Sequence, residues 1–105
     1  MDQFERVTVI KKANIYHGGK VTSRTVLFED GTRKTLGIIL PGEYEFGTED
    51  QELMEILAGK LKAMLPDSEK WEVYEAGQAF TVPADSRFKV STDEVTDYCC
   101  SYIKK

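Results

Sequence analysis

Any chemistry in this chain must rest mainly on carboxylates, hydroxyls and aromatic rings, because histidine and cysteine are scarce. There is one histidine, and the two cysteines, Cys99 and Cys100, are adjacent. A zinc, iron or manganese site usually requires several converging ligands, and a catalytic triad requires a histidine beside a nucleophile. His17 precedes two glycines, so we expect it to be exposed in a turn. We therefore expect no metal site and no triad.

Hydroxyl side chains lie on the inward faces of two predicted strands. Ser23 and Thr25 share the mostly apolar face of residues 20–28, so we expect both to point into the protein. Thr35 shares a face with Gly37, which would leave space for a ligand. An inward hydroxyl is either satisfied by structural hydrogen bonds or available to a ligand, and the sequence leaves both open.

Aromatic side chains form a second group of candidates. Tyr44 and Phe46 share one face of a predicted strand, Phe88 lies in another, and Tyr98 lies in the last. Because strand side chains alternate between faces, these rings point inward together. They either fill the core or form the wall of a binding site.

Charged candidates are harder to assign, because most charges of a small domain lie on its solvated surface. The cations that could hold an anion are Lys20, Arg24, Arg33, Lys34 and Arg87. Of these we select Arg87 as a binding residue. The carboxylates that could take part in catalysis are Glu43, Glu52 and Glu55. We select Glu43 and Glu52, and assign no general acid.

The elements that position these residues are predicted to be strands. Turn-forming residues recur at short intervals, and the segments between them alternate apolar and polar residues, which is typical of a sandwich or barrel. Asp30 and Gly31 separate two apolar runs and predict a hairpin. Residues 48–58 are ambiguous: Thr48 and Gln51 resemble a helix capping box. We prefer a loop and a strand there, because the alternation in residues 60–65 needs a partner.

Composition restricts the possible classes of function and the expected cellular compartment. The 105 residues are enough for one domain, residues 1–105. The 18 acidic and 14 basic residues give a net charge of −4, which argues against nucleic-acid binding. No segment resembles a secretory signal or a membrane span. Adjacent cysteines point to opposite faces of a strand and cannot easily form a disulfide. We therefore expect a cytoplasmic protein with free thiols.

Two segments resemble the motifs of cupin barrels. In residues 41–59, a glycine is followed by Glu52, and Gly59 comes seven residues after Glu52, as in the first cupin motif. In residues 77–88, Phe88 stands where the second motif has a histidine, and Asp85 stands where it has a glycine. The metal-binding histidines of both motifs are missing. The resemblance implies an all-β, single-domain cupin-like (jelly-roll) β-barrel without a metal.

A closer resemblance extends over residues 14–103. The segments that carry it include Lys34-Thr35-Leu36-Gly37, Pro41-Gly42-Glu43-Tyr44-Glu45-Phe46, Tyr74-Glu75-Ala76-Gly77 and Tyr98-Cys99-Cys100-Ser101-Tyr102. In order, spacing and length the chain resembles the cupin-type pyrimidine/purine nucleoside phosphorylases. The resemblance implies phosphorolysis of purine and pyrimidine nucleosides to free base and ribose 1-phosphate. It also implies inorganic phosphate as co-substrate, no cofactor and a homodimer.

Two other functions stay open at this point. One is a non-catalytic small-molecule-binding cupin, because loss of metal ligands often accompanies loss of catalysis. The other is metal-free sugar isomerase or epimerase chemistry, for which His17 is a poor base. For the homodimer, we expect the strand at residues 7–10 to cover a sheet edge of the partner.

Overall fold

A computed structural model describes residues 3–104, which form eleven strands and one short 3₁₀ turn, His17–Gly19. In chain order the strands are β1 Thr8–Val9, β2 Asn14–Tyr16, β3 Val21–Leu27, β4 Arg33–Ile39, β5 Gly42–Gly47, β6 Gln51–Ala58, β7 Lys60–Met64, β8 Glu72–Glu75, β9 Ala79–Val82, β10 Arg87–Thr92 and β11 Thr96–Ile103. The all-β prediction is confirmed.

The strands form two antiparallel sheets that pack face to face. The larger sheet has the order β1-β3-β4-β11-β6-β9, with β2 also paired to β3, and the smaller has the order β5-β10-β7-β8. Each sheet buries the face on which its apolar side chains alternate. Ile39, Ile56 and Val82 of the larger sheet pack with Leu61 and Val90 of the smaller one in a single core.

The hydrogen-bonded ladders of residues 3–104 do not close into a barrel. The larger sheet ends at β1 and β2 on one side and at β9 on the other, and the smaller ends at β5 and β8. Pro83 follows β9 directly and has no N–H, so the ladder between β6 and β9 ends at Val82.

The strand predicted in residues 48–58 is confirmed as β6, and no helix forms there. The expected partner was wrong, because β6 pairs with β11 and β9. Residues 60–64 form β7, which pairs with β10 and β8. Thr48 does not cap a helix. Its hydroxyl donates to the Pro83 carbonyl at 2.7 Å and accepts from the Ser86 N–H at 3.0 Å. These bonds fix the turn before β10 against the end of β5, so Thr48 stabilises a contact between distant parts of the chain.

The N-terminal strand pairs within its own chain. Thr8 lies opposite Leu27 and Val9 opposite Val26, so this segment covers the β3 edge of its own sheet. Within the described residues, no helix is long and apolar enough to cross a membrane.

Candidate functional site

A cavity of about 90 Å³ lies between the two sheets and reaches the surface beside Tyr16 and Gly47. Its polar floor belongs to the central strands of the larger sheet. Its apolar roof belongs to β5 and β10 of the smaller sheet. The floor contains Ser23, Glu52, Tyr98, Cys100 and Tyr102, and the roof contains Phe46 and Phe88.

Strand register brings the floor residues together. On β11, Tyr98, Cys100 and Tyr102 follow at intervals of two and therefore share one face. Tyr102 lies opposite Glu52 on β6. On the other side of β11, Cys100 lies opposite Thr35 on β4. β6 and β11 thus present adjacent polar side chains to the cavity, and Thr35 of β4 lies buried beside them.

Glu52 is the one carboxylate in this floor. It is half-buried, and desolvation raises the pKa of its carboxyl above the usual range. The Cys100 thiol donates a hydrogen bond to Glu52 Oε1 at 3.5 Å, and the charge of Arg33 also favours the ionised form. Burial dominates, so Glu52 retains its proton to a higher pH than an exposed glutamate.

The other floor residues are proton donors at neutral pH. Burial is the main cause that raises the pKa values of Tyr98, Tyr102 and the Cys100 thiol well above their ordinary values. Tyr102 OH lies 3.5 Å from Thr35 Oγ1. The floor therefore offers uncharged hydroxyl and thiol donors beside a single carboxyl group.

The roof is a cluster of aromatic rings. The ring centroids of Phe46 and Phe88 lie 5.6 Å apart, and their planes are inclined by 33°. His17 meets Phe46 edge to face at 5.1 Å, and Tyr16 does so at 6.4 Å. Flat apolar surfaces of this kind stack on planar ligands without demanding particular hydrogen bonds.

Five of the residues selected from the sequence line this cavity: Ser23, Phe46, Glu52, Phe88 and Tyr98. Thr35 is buried next to it and reaches it through Tyr102. Thr25 does not line it. Its hydroxyl and that of Ser23 both accept from the Asn14 amide, at 3.0 and 3.2 Å.

Three selected residues lie elsewhere. The Tyr44 hydroxyl is used within the fold, because it donates to the carbonyls of Leu40 and Pro41. Glu43 is exposed on the outer face of β5. Arg87 is exposed on the outer face of β10 and forms an ion pair with Glu45 at 3.4 Å.

Sequence reasoning did not select Tyr16, Met54, Cys100 or Tyr102, all of which line the cavity. The alternation that selected Tyr98 also places Cys100 and Tyr102 on its face, and this pattern was sufficient to find them. Met54 likewise follows Glu52 at an interval of two. Tyr16 belongs to a three-residue strand, which is too short to show a pattern.

Gly37 does not leave space for a ligand, contrary to the sequence-based expectation. A Cβ atom built on Gly37 would lie 2.8 Å from two carbons of the Tyr98 ring. The missing side chain therefore makes room for Tyr98, and this close approach fixes that ring in the cavity floor.

Two other features lack the character of a site. A groove of about 680 Å³ lies on the outer face of the larger sheet beside Leu36, Leu57 and Cys99, and its charged side chains, Lys34, Glu55 and Asp97, are of both signs. Among residues 3–104, no three histidine, cysteine or acidic side chains are grouped as a metal site would require. His17 is exposed, and Cys99 and Cys100 are buried free thiols.

Comparison with known proteins identifies the family. The family model for pyrimidine/purine nucleoside phosphorylase matches residues 11–102. Proteins of that name from Leptospira interrogans and Hydrogenovibrio crunogenus are 58% and 60% identical to this chain. The first alignment covers 99% of this chain and 98% of the relative, and the second covers 98% and 99%.

A solved structure agrees with these sequence matches. A protein of unknown function from Acinetobacter sp. ADP1 is 51% identical and superposes with a TM-score of 0.94. The match covers 96% of this chain and 98% of that chain. The chain therefore belongs to the pyrimidine/purine nucleoside phosphorylase family.

Proposed function

We propose that this protein cleaves both purine and pyrimidine nucleosides with inorganic phosphate, to free base and ribose 1-phosphate. A phosphate oxygen forms a bond to C1′ while the C1′–N bond breaks. The electron pair of that bond remains on the base nitrogen, and the base takes up a proton. The family membership supports the reaction class, and the cavity between the sheets supports its place in the molecule.

The observation that carries the proposal is the aromatic roof opposite a polar floor. Phe46 and Phe88 offer an apolar surface to the base, and every nucleobase has a face that can stack on it. Among the cavity-lining residues the one charged side chain is Glu52, which belongs to the floor and not to the aromatic roof. Recognition by stacking accounts for tolerance of both base classes.

The polar floor of the cavity is suited to bind the ribose and the phosphate. Phosphorolysis passes through a cation-like ribose, comparable to the transition state of glycoside cleavage. Glu52 is suited to accept hydrogen bonds from ribose hydroxyls and to face the developing positive charge. Tyr98, Tyr102 and Cys100 are suited to donate to oxygen atoms. Phosphate is itself a nucleophile, so the reaction needs no metal or other cofactor. The proposal uses Glu52 and not Glu43, which lies outside the cavity.

The small volume of the cavity and the exposure of its opening are relevant to the oligomeric state. Small-molecule pockets usually measure about 300 to 1,000 Å³, and this one measures about 90 Å³. Ile15 and Tyr16, beside the opening, are 66% and 43% exposed. We propose a homodimer in which a second copy encloses this opening. A monomeric mass at micromolar concentration in light scattering would contradict it.

Two further proposals concern architecture and compartment. We propose that the two sheets are the halves of a cupin-type jelly roll whose metal site is lost. We also propose a cytoplasmic location, since a reducing compartment keeps Cys99 and Cys100 as free thiols.

The experiment is to incubate the purified protein with adenosine, inosine, uridine and cytidine, each with and without phosphate. We expect base release from purine and pyrimidine nucleosides only when phosphate is present. A Glu52→Gln variant should lose most of it, whereas Glu55→Gln, on the opposite face of the same strand, should retain it. Thermal stabilisation by nucleosides without any turnover would instead indicate a non-catalytic binding protein.

A further inference from the structure

Arg33 differs from the other cations of the described strands by the face on which it lies. It shares the inward face of β4 with Thr35, Gly37 and Ile39, all buried. Lysines and arginines elsewhere in the strands alternate with buried residues and point outward: Arg24, Lys34, Lys60, Lys62, Arg87 and Lys89. One strand cation is therefore directed toward the interior.

The Arg33 guanidinium is held against the cavity floor. Its central carbon lies 3.8 Å from the centroid of the Tyr102 ring, and Tyr102 lines the cavity. Within residues 3–104, no carboxylate forms an ion pair with Arg33. A stacked arginine keeps its in-plane N–H donors for other partners, so this half-buried cation is oriented and has free donors, although its charge also acts on Glu52.

Hydroxyl donors lie beside the same ring. Tyr102 OH and Thr35 Oγ1 are 3.5 Å apart. The phenol is protonated at neutral pH, because burial raises its pKa. A planar guanidinium with adjacent hydroxyls is the donor set that binds a tetrahedral oxyanion, since arginine can bind two phosphate oxygens at once.

We propose that Arg33, Tyr102 and Thr35 form the subsite for inorganic phosphate, an inference that rests on the proposed function of the cavity. The nucleoside then lies with its base against Phe46 and Phe88. Its ribose lies over Glu52, which is opposite Tyr102 in the strand register.

The first test compares Arg33→Gln with Arg24→Gln, which removes an outward-facing charge from the neighbouring strand. Loss of a hydrogen bond to a charged group weakens ligand binding by about 10- to 100-fold. We expect Arg33→Gln to raise the KM for phosphate by that factor and to leave the KM for the nucleoside within about twofold. Arg33→Lys, which keeps the charge but not the two-point geometry, should have an intermediate phosphate KM. Arg24→Gln should behave as wild type.

The second test measures binding without turnover. Inorganic phosphate should raise the melting temperature of the wild type above that in chloride of equal ionic strength. Arg33→Gln should lose most of this protection, and Tyr102→Phe, which keeps the ring, should lose part of it. Melting temperatures without phosphate report whether each variant is folded.

The outcomes of the two tests distinguish a failure of the phosphate subsite from a failure of the proposed phosphorolysis. Phosphate-dependent turnover with an unchanged phosphate KM in folded Arg33→Gln would overturn the subsite and leave the function standing. Phosphate protection that depends on Arg33, without turnover of any nucleoside, would support the subsite and overturn the function. Neither turnover nor protection in the wild type would overturn both.

Discussion

Replacing Glu52 with glutamine should change activity and stability in opposite directions. The amide has almost the same shape as the carboxyl, and its oxygen can still accept the 3.5 Å hydrogen bond from Cys100. What is lost is the ability to carry negative charge beside the ribose. A hydrogen bond to a charged group contributes about 1.5 to 3 kcal/mol, so kcat/KM should fall by about 10- to 150-fold.

The stability effect follows from the raised pKa of Glu52. Its main cause is burial, which penalises the ionised form in the folded protein. Because the folded-state pKa lies above the unfolded value, the folded protein binds more protons than the unfolded chain once the pH passes the ordinary value of 4.5. Wild type therefore loses stability from this group with rising pH, and the loss is complete above the folded-state pKa.

Two assays together test this reasoning. Steady-state phosphorolysis gives kcat/KM, and thermal unfolding is measured over a pH window that begins below the ordinary value of 4.5 and extends upward. The melting temperature of Glu52→Gln relative to wild type should rise across that window, while Glu55→Gln shows no loss of kcat/KM. Glu52→Gln with wild-type kcat/KM, or a melting-temperature difference that stays constant with pH, would refute the reasoning.

Three further substitutions test other parts of the account. Gly37→Ala places a Cβ 2.8 Å from the Tyr98 ring. The free energy of unfolding measured in urea should therefore fall by about 1 to 3 kcal/mol, and a variant as stable as wild type would contradict the close packing. Phe46→Leu removes a stacking surface worth about 1 to 3 kcal/mol per base. It should raise KM for uridine and inosine alike, and an effect on one base class only would argue against stacking. Thr48→Val leaves the Ser86 N–H without its acceptor and should destabilise the protein by about 1 to 3 kcal/mol, a loss that chemical denaturation would detect or exclude.

Period-two alternation was sufficient to predict much of the site. It requires only local sequence, and it placed Ser23 on an inward face and Tyr98 on one face with Cys100 and Tyr102, where the structure finds them. Glu52 and Phe88 were selected from their positions in the cupin-like motifs. A strand was preferred over a helix in residues 48–58 because the alternation in residues 60–65 needs a partner, although local capping residues supported the helix. There the pairing of β6 with β11 and β9 outweighed local propensity.

Alternation could not show what each inward group contacts. Tyr44 and Phe46 share a face, but only Phe46 reaches the cavity, because the Tyr44 hydroxyl bonds to carbonyls in the turn before β5. Gly37 looked like an opening and instead accommodates the ring of Tyr98. The Tyr44 bonds are local but depend on the geometry of the turn, whereas the contact of Gly37 with Tyr98 joins strands that are distant in sequence.

The central claim is that phosphate is the attacking group, and the fate of the phosphorus tests it most directly. Phosphorus NMR of the wild-type protein with uridine, and separately with inosine, should show inorganic phosphate converted to a sugar phosphate. One equivalent should form for each free base released. Base release without a sugar phosphate, or no base release from either nucleoside, would contradict the account.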